Sequence, residues 1–233
     1  MASTEPLIVH RASNLVLGTF PKCLKLLGEV TIVMLDQGLS VLSEEYRRHS
    51  GVPLKVSTLS KIRHTARLRR CEPRSYAVRA GQISQSVFMV VSGLFRSYRI
   101  EDSGHEWTQC FLEQGAVAGF CSALLHQETV EFVQALETSH ILELPLQLWD
   151  DLHVNDPQTL AQMSVWQAAV TTAIQKRQAE LLSLNATQRL KLFVANYPQL
   201  IARVTKEHLA SYLGIAAPSL SRIWAQVCSV SQM

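Results

Sequence analysis

The sequence predicts an α+β protein: an N-terminal antiparallel sandwich or barrel, a long helix, and a C-terminal helix-turn-helix. Three observations carry this. Between Arg67 and Leu144 several short runs rich in β-branched and aromatic residues are punctuated by Gly- and Asp-containing turns. From Asn155 to Leu182 apolar residues recur three and four apart. Val204 to Ile223 reads as two helices joined by a tight turn.

With 233 residues the chain is long enough for one large domain or two moderate ones, and an apolar fraction of 47% excludes a disordered chain. A net charge of +3 is modest, so affinity for a polyanion has to come from local clustering. The five cysteines (Cys23, Cys71, Cys110, Cys121 and Cys228) are widely spaced and form no C-x-x-C pair, so they read as reduced thiols, with neither a zinc knuckle nor a disulfide framework. Leu15 to Leu35 is apolar but interrupted by Pro21, Lys22, Lys25 and Glu29. It is too charged for a membrane span of about 20 residues, and its flank lacks the order of a signal peptide. A cytoplasmic protein without membrane contact is expected.

Four segments follow in order: an extension over 1–36 that matches no pattern, a strand-rich domain over 37–154, a long helix over 155–182 and a helix-turn-helix domain over 183–233. A helix is expected over Gly38–Ser50, broken by Gly51-Val-Pro53, and another from a Ser57 cap to Thr65. Arg67, Arg69, Arg70, Arg74 and Arg79 suit a solvated sheet edge better than a DNA face. Ser86 to Ile100 reads as strand with a bend at Gly93, Asp102-Ser-Gly104 as a hairpin turn, and His105 to Leu112 as the returning strand. Two further strands are expected around Glu137-Thr-Ser139. The helix opened by Asn155-Asp-Pro157 carries Met163, Gln167, Val170, Ile174, Arg177 and Leu181 on one seam, a candidate dimer interface; packing of a single helix across the sheet explains the pattern equally well. Thr187 to Tyr197 is a further helix stopped by Pro198.

In the C-terminal stretch Thr205 is placed to cap the first helix, Leu209, Ala210 and Leu213 share one side, and Gly214 suits the left-handed exit. The second helix starts near Pro218, with Leu220 and Ile223 facing back. Lys206, Ala217, Pro218, Ser219, Ser221 and Arg222 are the candidate DNA-contacting residues, and Arg189, Lys191, Arg203, Lys206 and Arg222 stand against Glu207 alone from Ser183 onward. A helical hairpin in any core would share the apolar pattern, so the outward residues are the informative ones.

In this order of elements the chain resembles the Crp/Fnr family of bacterial transcription regulators over about Gly38 to Trp224. The carriers are Phe88-Met-Val-Val-Ser-Gly-Leu94, Asp102-Ser-Gly-His-Glu106, Ala135-Leu-Glu137, Leu181 to Arg189, Leu209-Ala-Ser-Tyr-Leu-Gly-Ile215 and Leu220-Ser-Arg-Ile223. The resemblance implies an effector domain over 37–154 that is an antiparallel β-roll (a double-stranded β-helix), a dimerisation helix over 155–182 and a winged-helix-like DNA-binding domain over 183–233. It implies a homodimer that binds a two-fold-symmetric site in double-stranded DNA, with RNA polymerase and an unidentified small-molecule effector as candidate partners. Three departures stand out. Relatives that bind cyclic AMP carry Gly-Glu for the ribose and Arg-Ser for the phosphate. Here Gly119 is followed by Phe120 and Cys121, Thr129-Val130 fall near the Arg-Ser place, and Glu128 and Glu131 would repel a phosphate, so cyclic AMP is not expected to bind. Pro218 stands where many relatives have a base-contacting Glu, which leaves Arg222 as the main candidate for guanine. The usual wing is expected to be truncated or missing.

No catalytic residue, metal or cofactor is expected. An enzyme built on the roll, as in cupin-like oxygenases, needs clustered His and carboxylate ligands, whereas His105, Glu106, His126, His140 and His153 are scattered. A sensing or interaction protein with lost or weak DNA binding is the remaining alternative.

Overall fold

A computed structural model describes residues 20–230. The expectation for residues 1–19 lies outside the described residues, as does the side chain of Cys121.

Two four-stranded antiparallel sheets form the roll. One has the order β1 (Arg67–Cys71), β8 (Ser139–Pro145), β3 (Ser86–Ser92), β6 (Val117–Ala118); the other β2 (Tyr76–Val78), β7 (Phe132–Ala135), β4 (Phe95–Ile100), β5 (Glu106–Leu112). The expected strands are present, and a short helix α3 (Phe120–Leu125) interrupts them between β6 and β7. β3 is an unbroken apolar run because both of its faces are buried. Phe88 and Val90 meet Phe95, Val133 and Ile141 inside the roll, while Val87, Met89 and Val91 face a layer of helices.

That layer holds α1 (Phe20–Ser50), α2 (Val56–Thr65), α4 (Leu146–Asn155) and the start of α5 (Pro157–Ser183). α1 runs unbroken across position 36, and Leu39, Leu42 and Tyr46 seat it on the sheet. α2 begins at Val56 with no side-chain cap, so Ser57 does not serve as one. Thr58 instead donates to Asp156.

Asp156 is the joint of this layer. Its carboxylate caps α5 through the Thr159 amide and accepts from Thr159 Oγ1 (2.7 Å), Thr58 Oγ1 (2.6 Å) and Lys55 Nζ (2.6 Å). Burial by itself would raise the carboxyl pKa; the bonds from Lys55, Thr58 and Thr159 outweigh it and hold the group well below the usual carboxylate range. Ionised Asp156 therefore stabilises the fold above the unfolded-chain pKa of about 3.9, and this stability is lost as pH falls toward the lower folded value. Lys55 is half-exposed, so its charge stays solvated when the partner is removed. Asp156→Asn should accordingly cost about 2 kcal/mol at neutral pH, less than a fully buried pair would, and the deficit should shrink below about pH 4. Urea denaturation across that range checks this; a deficit independent of pH would assign the effect to shape rather than charge.

The third apolar cluster covers the outer face of the second sheet. Leu94, Phe111 and Leu136 of the roll share it with Leu190 and Phe193 of α6 (Ala186–Asn196), Tyr212 and Leu213 of α7 (Lys206–Leu213) and Leu220 of α8 (Ala217–Val230). The C-terminal helices are thus packed directly on the roll.

Candidate nucleic-acid interface

α7 and α8 form the helix-turn-helix. Thr205 Oγ1 accepts from the His208 amide (3.2 Å), the N-cap the sequence calls for. Gly214 leaves α7 with φ 65°, and the Ile215 amide reaches back to the Ala210 carbonyl (3.0 Å), closing a Schellman turn. Leu209, Ala210, Leu213 and Leu220 are buried in the corner, and Ile215 and Ile223 pack beside them.

α8 turns Pro218, Ser221, Arg222 and Ala225 outward, at the three- and four-residue spacing of one helix face. Arg222 is exposed and rests on Ser219, its Nη2 donating to Ser219 Oγ (3.2 Å). Lys206 sits at the start of α7 and lines a shallow cleft with Thr205, Ser221 and Trp224, so the structure brings Lys206 and Ser221 together. Ala217 packs toward the domain core. Ala225 extends the outward face by a turn and has no chemical signature that sequence reading could pick out.

The basic excess divides into two groups. Arg189 is spent on helix ends, donating to the Leu213 carbonyl (3.0 Å) through Nε and to the Leu184 carbonyl (2.5 Å) through Nη1. Arg203 pairs with Glu137 (2.6 Å) and Glu113 (3.1 Å) of the roll. Lys191, Lys206 and Arg222 remain exposed.

Along α5, Met163 is 4% exposed inside the chain's own core, and Arg177 stacks on the Tyr212 ring at 3.9 Å while donating to the Tyr212 carbonyl. Gln167, Val170, Ile174 and Leu181 face solvent, with Ile174 64% exposed.

In the roll, Gly119 opens α3 with φ 78°, and a Cβ there would approach the Phe88 ring at 3.0 Å. Phe120 packs edge-on against Trp149, Thr129 is buried and Val130 is exposed. Glu131 accepts from Ser97 Oγ (2.7 Å), placing a carboxylate in the segment where a cyclic phosphate would need a cation. Burial pushes the Cys110 thiol up to about 12, so it stays protonated and unreactive at neutral pH. Among the described residues no group of three or more His, Cys, Asp or Glu is arranged to hold a metal ion, and no helix is long and apolar enough to cross a membrane.

Residues 68–156 match the cyclic nucleotide-binding domain model. The regulatory protein HlyX of Actinobacillus pleuropneumoniae is 29% identical over 155 residues, 62% of this chain and 64% of that protein. The chain spans about three fifths of the length of the curated relatives it matches. Among solved structures, FixK2 of Bradyrhizobium japonicum superposes with a TM-score of 0.64 at 17% identity, covering 71% of this chain and 86% of that one. The c-di-GMP-responsive global regulator CLP of Xanthomonas campestris gives 0.63 at 16%, covering 76% and 93%. The class is thus a cyclic-nucleotide-binding-type roll joined through a long helix to a helix-turn-helix. Sequence and fold together are similar to those of Crp/Fnr-type regulators.

Proposed function

We propose that this chain is a sequence-specific DNA-binding transcription regulator of the cytoplasm, acting as a homodimer on a two-fold-symmetric site. One observation carries the reading: α8 presents Pro218, Ser221 and Arg222 outward from a capped, tightly turned helix-turn-helix, with Lys206 beside them at the amino end of α7. A helix start offers free amides and a partial positive charge to a phosphate, and Lys206 adds a full one. Arg222 supplies the fork that fits guanine O6 and N7. Pro218 accepts nothing from cytosine, so the site read differs from that of relatives with a carboxylate there. Glu131 and Phe120 argue against cyclic AMP as the effector.

Selection of sites from a random DNA library with the purified chain tests this. Enrichment of a palindrome is the expected result; no enrichment would leave a sensor or interaction protein. Against the selected site, Arg222→Ala should cost about 1–3 kcal/mol and relax preference at one base pair, whereas Lys206→Ala should weaken all sequences evenly and reduce the salt slope by about one. An even loss for Arg222→Ala would assign it to phosphate.

A further inference from the structure

We propose that the roll itself fixes the orientation of the reading head, without a ligand, through two polar pins on either side of an aromatic contact. The proposal rests on the DNA-reading function above for its consequence, and on the geometry of the domain contact for its substance.

The first pin is Ser211 on α7. β5 is an edge strand, so part of its backbone has no strand to pair with. Ser211 Oγ accepts from the Thr108 amide (2.8 Å) and donates to the Glu106 carbonyl (2.6 Å), satisfying two such groups with one hydroxyl. The arrangement is held from behind. Thr108 Oγ1 donates to Ser211 Oγ (3.0 Å) and accepts from Arg96 Nε (2.7 Å), and Arg96, buried on β4, also pairs with Glu106 Oε2 (2.6 Å). Arg96, Thr108, Ser211 and Glu106 thus form one directed chain of donors in which every hydroxyl both gives and accepts.

The second pin is Arg203, ahead of α7. It grips Glu137 with two nitrogens (2.6 and 3.3 Å) and Glu113 with the third (3.1 Å), and Gln199 Nε2 donates to the other oxygen of Glu113 (2.8 Å). Between the pins Phe111 of β5 meets Tyr212 at 5.5 Å and Phe193 at 6.2 Å. Separating the domains would expose these rings and leave the outer edge of β5 unpaired, so the contact has a defined geometry and a cost to leave.

The outward face of α8 lies clear of this contact. Docking therefore positions the reading residues rather than covering them, and a head already held in place loses less freedom on binding DNA. With Glu131 in the segment that would need a cation to hold a cyclic phosphate, the arrangement points to a regulator whose head is set by the fold.

The test uses the full chain, unfolded in guanidinium chloride, desalted and refolded so that no small molecule remains. Hydrogen exchange should show the Thr108 amide protected in this stripped protein, and at least about tenfold less protected in Ser211→Ala. Affinity for the selected site should be unchanged by stripping or by saturating cyclic AMP, to within about threefold. Glu137→Gln, on the roll and outside the outward face of α8, should weaken binding about tenfold, as should Arg203→Ala, with Arg203→Lys partly restoring it. Free exchange at Thr108 in the stripped chain overturns the proposal, as does a gain in affinity on adding cyclic AMP. Unaltered DNA affinity in a normally melting Glu137→Gln does so too. Protection at Thr108 with no DNA binding in any form would sink the DNA-reading function while leaving the docking in place.

Discussion

Gly93→Ala should destabilise the fold severely. Gly93 turns β3 into β4 with φ 92°, and a Cβ built there would lie 2.7 Å from the Cα of Ser139. The neighbour cannot give way, because Ser139 is fully buried on β8, accepts from the Leu94 amide through Oγ (3.2 Å) and donates to the Glu137 carbonyl (2.8 Å). Leu94 in turn sits in the apolar cluster under the helix-turn-helix. The left-handed conformation alone costs an alanine about 1–2 kcal/mol, and displacing packed backbone adds a similar amount or more. A total of about 2–4 kcal/mol or more is a large part of the stability of a domain at the lower end of the typical 5–15 kcal/mol. Gly104 has a comparable φ of 81° with nothing within 4 Å of its would-be Cβ, so Gly104→Ala should lose only about 1 kcal/mol. Thermal melting of the pair separates space from conformation. A Gly93→Ala melt close to that of Gly104→Ala would show that Ser139 moves aside after all.

The sequence made the helix-turn-helix legible because its determinants are local: Thr205 caps three residues ahead, Gly214 ends α7 next to its last turn, and Leu209, Ala210 and Leu213 share a side by period alone. The strands were legible for the same reason, since Gly93 and Asp102-Ser-Gly104 mark the two turns that bound β4. What stayed hidden depends on distant partners. Arg189 and Arg203 count as basic residues of a DNA-binding segment, yet one closes helix ends and the other binds the roll, and a charge sum cannot tell such arginines from Arg222. Ser211 lies 103 residues from Thr108, and nothing in its neighbourhood announces that an edge strand will use it. The start of α1 is not legible because the change from unpatterned to patterned sequence falls at Gly38, well inside the helix. α4 is hard to delimit from sequence although Leu146, Trp149 and Leu152 fall three apart, because it follows β8 directly at Pro145 with no side-chain cap to mark its start. The arginines of the first strands fit the solvated-edge expectation: Arg69 pairs with Glu143 (2.7 Å) and Arg70 with Glu72 (3.1 Å).

Ile174→Glu should convert a dimer to a monomer without harming the fold. The seam along α5 splits once packing is known: Met163 and Arg177 have partners within the chain, whereas Val170 and Ile174 stand out from it, 37% and 64% exposed. An apolar side chain that contacts no core costs the single chain about 0.5 kcal/mol or less when replaced, so any large effect has to come from a second copy. Between two parallel helices the same substitution would bury a pair of like charges, which association cannot repay. Sedimentation should show the change directly, with an unaltered circular dichroism spectrum as the control for folding. DNA affinity should fall with it. Two heads joined by one seam bind two half-sites with a high effective concentration, and their separation loses about 100-fold or more on a palindrome but little on a single half-site. Met163→Glu is no substitute for this test, because it would place a charge in the core beneath α1 and unfold the layer that Asp156 joins. If Val170→Glu and Ile174→Glu together leave the dimer intact, the α5 seam is not the interface, and the exposed side of that helix has another use.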